Sequence, residues 1–427
     1  MKKSILFLIV LLVNISVFAQ TMPQGADPAL WARALKLHRS AIIVDGHNDI
    51  SSPMYDEDFD LATNSIGKLH RDGDPFHTDL NRFKASGITG EFFSIYVSAT
   101  YARDGGSMRR AMDLIDATYR EAERHPGQMM MCTTANDIRR AKKLNKLCAL
   151  MGIEGGHAIE DSLHALRNFY RLGIRYMTLT HNNTNNWADA CCSESRHNGL
   201  SDFGKEVIRE MNRMGMLVDL SHVSDKVMND VLDIATAPVI YSHSSARVFA
   251  DHRRDVPDDI LARVAKNGGV VMINFYPGFL DQAYLDASNA RTARLRPQMD
   301  ALREKFKDDA AGFQAAEREL LAANPIPITS YTKIVDHIDH IKKVAGIDFI
   351  GIGSDYDGVP LLPEPMNGAE DLVLVTYEML RRGYTETEIK KVLGENFLRA
   401  FARAEEVAKI NTRKISGEGS LTKFKSK

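Results

Sequence analysis

The sequence predicts an α/β fold, a (β/α)8 TIM barrel with a helical insertion between strand 7 and strand 8. Three observations carry this. Eight short apolar runs each read as a β-strand: IIVDGHND (42–49), FFSIYV (92–97), CALMGIEG (148–155), YMTLTH (176–181), LVDLSH (217–222), PVIYSH (238–243), VVMINF (270–275) and FIGIGSD (349–355). Helical patterns alternate with them, which implies a parallel sheet with right-handed crossovers. Six of the runs close on His, Asp or Glu, and barrel enzymes place their chemistry at the carboxyl ends of the strands.

Taken in order, residues 1–19 come first. Lys2 and Lys3 form a positive start, residues 4–13 an apolar stretch, and Val17-Phe18-Ala19 a small-residue cleavage site. This reads as a secretory signal cut after Ala19; the apolar stretch is short for a spanning helix of about 20 residues. Residues 28–41 have helical periodicity and lead into the first strand. Further helices are expected over 106–124, 161–172, 202–214, 224–235, 257–267 and 330–344, several opened by capping residues such as Ser201 and Ser224. Residues 284–325 break the rhythm. They are charged and helix-forming, and read as an insertion over the top of the barrel, either a solvated excursion or a lid or dimer contact. A final amphipathic helix is expected over 385–409, opened by Thr385-Glu386-Thr387-Glu388. The domain parse is a signal over 1–19, one catalytic barrel domain over 20–410, and a tail over 411–427 expected to be disordered.

The 427 residues are 44% hydrophobic, enough for a large core, and α/β barrels often run as one domain at this length. The net charge of −2 excludes a polycation, and nothing points to nucleic acid. Losing Lys2 and Lys3 takes it to −4. No Cys follows the cleavage site, and the C-terminal ISGEGSLTKFKSK has no apolar tail, so no stable membrane anchor is expected. The protein is expected to be exported, periplasmic or extracellular, and soluble after cleavage. Cys132, Cys148, Cys191 and Cys192 are read as unpaired thiols, because Cys148 opens a core strand and adjacent cysteines are poorly placed to bridge; no CxxC spacing suggests a metal knot.

The chemistry gathers at the strand ends. His47 and Asp49 stand two apart, on one face of a strand, so an imidazole and a carboxylate can meet one cation. Glu154 closes an apolar strand, where a carboxylate is costly unless paired or bound to metal; its two oxygens can bridge two cations. His222 and His243 close successive strands with the words Leu-Ser-His and Tyr-Ser-His, and neutral imidazole is a preferred zinc ligand. Asp355 is favoured over Asp357, which reads as structural. The set describes two metal positions: His47, Asp49 and one Glu154 oxygen, then the other oxygen with His222 and His243. Zinc suits this mixture best, with cobalt, manganese or iron as alternatives. Paired metals generate hydroxide at neutral pH and support hydrolysis.

These motifs resemble the renal (membrane) dipeptidase family of the amidohydrolase superfamily. The likeness is carried by IEGGHAIEDSLHALRNFYRLGIRYMT (153–178), with VDGHNDI, GITGEFFSIYV, MTLTHNNTNNWAD, VDLSHVS, PVIYSHSSAR, RRDVPDD, VVMINFY and GSDYDGVP in order from about residue 40 to 405. It implies a barrel with two zinc ions bridged by a glutamate, acting on dipeptides with free ends and tolerating a C-terminal D-residue. His47, Asp49, Glu154, His222 and His243 then match the zinc ligands. Asp355 matches the aspartate that handles the proton, His181 the histidine against the tetrahedral intermediate, and Arg254 the arginine that holds substrate. A homodimer is implied too. Asn183 stands where a half-cystine is expected, and the insertion 284–325 is extra. The expected mechanism is attack by a metal-bridging hydroxide. The rivals are a related binuclear amidohydrolase acting on another amide, ester or lactone, and a barrel that has lost catalysis and only binds.

Overall fold

The computed structural model describes residue 20 and residues 22–418, of which 412–418 are described as backbone only. The expected signal segment 1–19 lies outside the described residues. Eight parallel strands form a closed ring: β1 (Ile43–Asn48), β2 (Ile88–Tyr96), β3 (Leu147–Glu154), β4 (Ile174–Thr178), β5 (Leu217–Asp219), β6 (Ile240–Tyr241), β7 (Val270–Ile273) and β8 (Ile350–Ile352). Each pairs with the next, and β8 returns to β1 through Asp45↔Ile352. The longest seam joins β2 to β3 in continuous register from Gly90↔Cys148 to Tyr96↔Glu154. All eight apolar runs therefore contribute barrel strands. They are apolar nearly throughout because a parallel sheet covered by helices is buried on both faces.

Alternation along the strands sends one set of side chains into the barrel. Val44, Phe92, Leu150, Tyr176, Ile240 and Met272 pack there, and Phe397 and Phe401 of the last helix join the same cluster. Phe92 meets Tyr176 at 4.9 Å and Phe397 at 5.3 Å between ring centroids. The barrel is thus a packed core at its amino end, and the strand ends at the other side are left to carry polar groups. Truncating one such aromatic costs about 3–5 kcal/mol.

The helices follow the expected capping chemistry. Ser201 accepts from Gly204 N–H and opens Asp202–Met214; Ser224 accepts from Val227 N–H and opens Asp225–Ile234. Residues 284–325 form two helices, Gln282–Lys305 and Ala310–Ala322, between β7 and β8. The last helical region begins with the Thr385–Glu388 capping box and runs on through Asn396–Glu418, past the residue 410 at which the sequence closes the domain. Residues 419–427 lie outside the described residues. Among the described residues no helix is long and apolar enough to cross a membrane.

The cysteines differ from the sequence expectation. Cys132 is bonded to Cys148, with 5.6 Å between their Cα atoms, and Cys191 to Cys192. The first pairing follows from a short strand, Met129–Met131, that the sequence did not reveal. It lies beside β3 with Met130 opposite Cys148, which brings Cys132 within bridging range.

Candidate metal centre and active site

The strand ends converge as a consequence of closure. His47 lies within β1 and Asp49 just beyond it; Glu154 is the last residue of β3. His181, His222 and His243 follow β4, β5 and β6 within two or three residues, and Asp355 follows β8. His222 and Asp355 hold φ of +68° and +63°. Side chains rarely adopt that left-handed region, and such residues cluster where a group must be aimed.

Glu154 is the hub. Its Oε2 lies 3.4 Å from His47 Nε2; its Oε1 lies 3.0 Å from His222 Nε2 and 3.4 Å from His243 Nε2. Asp49 Oδ2 is 3.3 Å from His47 Nε2 on the first side. Burial opposes the charge of Glu154, but His47, His222 and His243 outweigh it and hold the carboxyl well below its usual range. Burial likewise lowers His47, yet Tyr176, Glu154 and Asp49 outweigh it and push that imidazole well above its ordinary value. The site therefore demands positive charge between these carboxylates.

The imidazoles are held so that Nε2 can meet the positive charge that the carboxylates call for. His47 Nδ1 lies 2.8 Å from Tyr176 Oη, which itself donates to the Gly46 carbonyl. His222 Nδ1 lies 3.0 Å from Asn182 Oδ1. Each partner accepts a hydrogen bond from Nδ1–H, so Nε2 is left with its lone pair toward Glu154. His47 Nε2 is buried without a hydrogen-bond partner. The Nε2 atoms of His222 and His243 stand 2.9 Å apart, a repulsive approach of lone pairs unless positive charge lies between them. Burial holds both imidazoles well below their ordinary range, reinforced at His222 by the Arg254 charge and at His243 by those of His47 and Arg254. His47, Glu154 and His243 form one cluster of potential ligands, Glu154, His181 and His222 a second, and His47, Asp49 and Asp355 a third. The donor set fits metal ions.

Around this hub lies a cavity of about 1180 Å³, lined by Asp49, Glu154, His181, His222, Arg254 and Asp355. His47 and His243 sit behind it. Asp355 Oδ2 accepts from Asn274 Nδ2 at 2.8 Å. Burial, with the nearby Asp49 and Glu154 charges, pushes the Asp355 carboxyl up to about 7. Burial lowers His181, with Glu154 opposing and Arg254 reinforcing; its ring stands 4.5 Å from that of His222. Arg254 is buried, donates to Ser244 Oγ (3.2 Å) and to the His243 carbonyl (3.1 Å), and has no ion-pair partner among the described residues. Gly358 is needed where it is, since a Cβ there would run into the Asp49 and Asp355 carboxylates. Ala310 and Gln314 bring the insertion to the cavity wall.

All eight residues singled out from the sequence thus gather at one place. Asp357 also lines the cavity, but its carboxylate is taken up by His70 Nε2, His77 N–H and Thr78 Oγ1. Tyr176 and Asn182, which orient the imidazoles, were not found from the sequence. Tyr176 opens an apolar run and looks like core; Asn182 directly follows His181, and an amide beside a candidate catalytic residue was the available signal.

A model of the membrane dipeptidase family, peptidase family M19, matches residues 31–414. Among solved structures, the probable dipeptidase PvdM from Pseudomonas aeruginosa superposes with a TM-score of 0.73 at 22% identity, over 90% of this chain and 100% of that one. Dipeptidase AC, a metallopeptidase of family M19, gives 0.68 at 22%, over 85% and 98%. A metallopeptidase from Rhodobacter sphaeroides, bound to a phosphinate mimic of the dipeptide L-Ala-D-Ala, gives 0.66 at 23%, over 85% and 99%. These structures share the fold described above.

Proposed function

This chain belongs to the membrane dipeptidase family and is a metallo-dipeptidase; from that premise we propose that it uses two zinc ions bridged by Glu154 to hydrolyse dipeptides, including those ending in a D-residue. The observation that carries the reading is the division of Glu154, one oxygen toward His47 and the other toward His222 and His243. One cation would be held by His47, Asp49 and Oε2, the second by Oε1, His222 and His243. This mixture of imidazole and carboxylate suits zinc. Bound there, the pair supplies Lewis acidity and a nucleophile drawn from water at neutral pH.

The protein's own groups do the rest. Arg254, a buried guanidinium without a carboxylate partner, holds the terminal carboxylate of the substrate by charge-assisted hydrogen bonds. His181 donates a hydrogen bond to the scissile carbonyl oxygen as negative charge develops on it. Asp355, its carboxyl pushed up to about 7 by burial beside Asp49 and Glu154, takes the proton of the attacking water in its ionised form and returns it to the leaving nitrogen. Acceptance of a C-terminal D-residue is supported by the phosphinate mimic of L-Ala-D-Ala held by the related metallopeptidase. Residues 20–410 act as one catalytic unit in this reading, which also includes export and a homodimer.

The test is a panel of L,L- and L,D-dipeptides, with a lactone and an N-acyl amino acid, run with chelator and after zinc is restored. Release of amino acids from both dipeptide classes, lost with chelator and recovered with zinc, is expected. Turnover of the lactone or acyl amino acid alone would overturn the reading.

A further inference from the structure

Asp219 is the last residue of β5, is fully buried, and has no part in the scheme above. Its carboxylate is completely engaged. Oδ1 accepts the backbone N–H groups of Ser221 (3.1 Å) and Ser242 (2.8 Å). Oδ2 accepts the hydroxyls of Thr178 and Ser242, both at 2.6 Å. Ser242 Oγ also lies 2.7 Å from Nδ1 of His243.

A serine hydroxyl has one hydrogen. With that hydrogen directed to Asp219, Ser242 Oγ can only accept from His243. His243 then carries its proton on Nδ1, and its Nε2 faces Glu154 Oε1 as a lone pair. Resting on the reading of His243 as a metal ligand, we propose that Asp219 is a positioning residue for the metal centre, acting through Ser242 to fix the tautomer of His243 and present Nε2 to a cation shared with Glu154. His47 and His222 are oriented by neutral groups, Tyr176 and Asn182. The carboxylate–hydroxyl–imidazole chain is distinct from these, since a charged outer partner both fixes the ring and raises its basicity toward metal.

The chain makes a sharp distinction between two mild substitutions. In Asp219→Asn the amide oxygen must take the place of Oδ1, because two backbone N–H groups point there. The amide nitrogen then replaces Oδ2 and donates to Ser242. The Ser242 hydrogen turns to His243 Nδ1 at 2.7 Å, a nearer acceptor than Ser221 Oγ at 3.4 Å, and the imidazole proton moves to Nε2, where it blocks the cation. Ser242→Ala removes the relay without enforcing the wrong tautomer, and Ser242→Thr keeps the hydroxyl.

The experiment strips the full chain of metal with chelator and titrates zinc against a competing chromophoric chelator. Nitrogen-15 spectra of the labelled histidines report, on the stripped protein before zinc is added, which nitrogen of His243 is protonated. The wild type is expected to bind two zinc ions with His243 protonated on Nδ1. D219N is expected to hold one of the two about 10–100-fold more weakly, with the proton on Nε2. S242A falls between them, and S242T matches the wild type. Wild-type zinc affinity at both positions in folded D219N, with His243 still protonated on Nδ1, would overturn the proposal. If D219N does not fold by circular dichroism, unchanged affinity and tautomer in S242A overturn it instead. His243→Ala that still binds two zinc ions would reject His243 as a ligand, a failure of the underlying reading that leaves the tautomer measurement to decide the relay.

Discussion

Asp45 and Asp219 perform the same operation at two places on the barrel. Asp45 Oδ1 accepts from His47 N–H (3.3 Å) and, across the seam, from Ser354 N–H (2.8 Å). Asp219 Oδ1 accepts from Ser221 N–H (3.1 Å) and, across its own seam, from Ser242 N–H (2.8 Å). Each carboxylate ties the backbone two residues ahead to the neighbouring strand, just below a ligand candidate. Asp45 thereby fixes His47 and the residue before Asp355 together. Asp45→Ala leaves both N–H groups buried without an acceptor, at about 1–3 kcal/mol each. Urea unfolding of the metal-free protein is expected to register that loss, and metal analysis a reduced zinc content. Unchanged values of both would remove Asp45 from this role.

Gly152 lies on β3 where the Tyr176 ring crosses it, and a Cβ there would overlap the ring. That ring carries the hydroxyl facing His47 Nδ1. Gly152→Ala is expected to destabilise by about 1–3 kcal/mol through overpacking and to weaken zinc binding at the His47 position. Thermal unfolding and zinc titration check the two effects separately; a variant with normal zinc affinity would show that Tyr176 does not orient His47.

Arg254 separates substrate binding from metal binding. Losing hydrogen bonds to a charged group costs about 1.5–3 kcal/mol, so Arg254→Ala is expected to lower kcat/KM about 10–100-fold, mainly through KM, with two zinc ions retained. Arg254→Lys recovers part of the loss. Steady-state kinetics beside metal analysis test this, and an unchanged kcat/KM would exclude Arg254 from substrate binding.

The expected regularity of the strands made the centre legible. Glu154 stands out because it closes an eight-residue apolar strand, and His222 and His243 because they end neighbouring strands in matching words. The supporting groups were hidden for physical reasons. Tyr176 is a core residue by its ring and a polar one by a single oxygen. Asp219 and Ser242 sit inside the apolar runs 217–222 and 238–243, whose closing histidines drew attention first. Met129–Met131 is too short and too uniform to show strand alternation, so the Cys132–Cys148 bond could not be foreseen. The last helix runs to Glu418 through a polar stretch whose composition alone suggested disorder.

Two buried histidines away from the centre set an acid limit on stability. His38 lies 2.6 Å from the Ser86 carbonyl through Nε2 and 2.8 Å from Thr376 Oγ1 through Nδ1; His337 Nδ1 accepts from Ala246 N–H, and its Nε2 donates to the Leu280 carbonyl. Burial lowers His38 to about 4 and His337 to about 3, against an ordinary value of 6.5. Their folded values are depressed, so the stability they allow is complete above pH 6.5. It falls as the unfolded chain takes up protons first, and the loss levels off below pH 4 and pH 3 respectively, at about 1.4 kcal/mol per pH unit and group. Urea unfolding of metal-free protein from pH 7 to 4 is expected to show this slope, with a shallower one in His38→Gln. Equal slopes would contradict it.

The central claim, that Glu154 divides its two oxygens between two cations, is tested most directly by the crystal structure of the zinc-loaded protein with anomalous scattering recorded at the zinc edge. The account predicts two zinc peaks about 3.5–4 Å apart, with Glu154 Oε2 on the His47 and Asp49 ion and Oε1 on the His222 and His243 ion. A single peak, or two peaks of which Glu154 touches at most one, would contradict it.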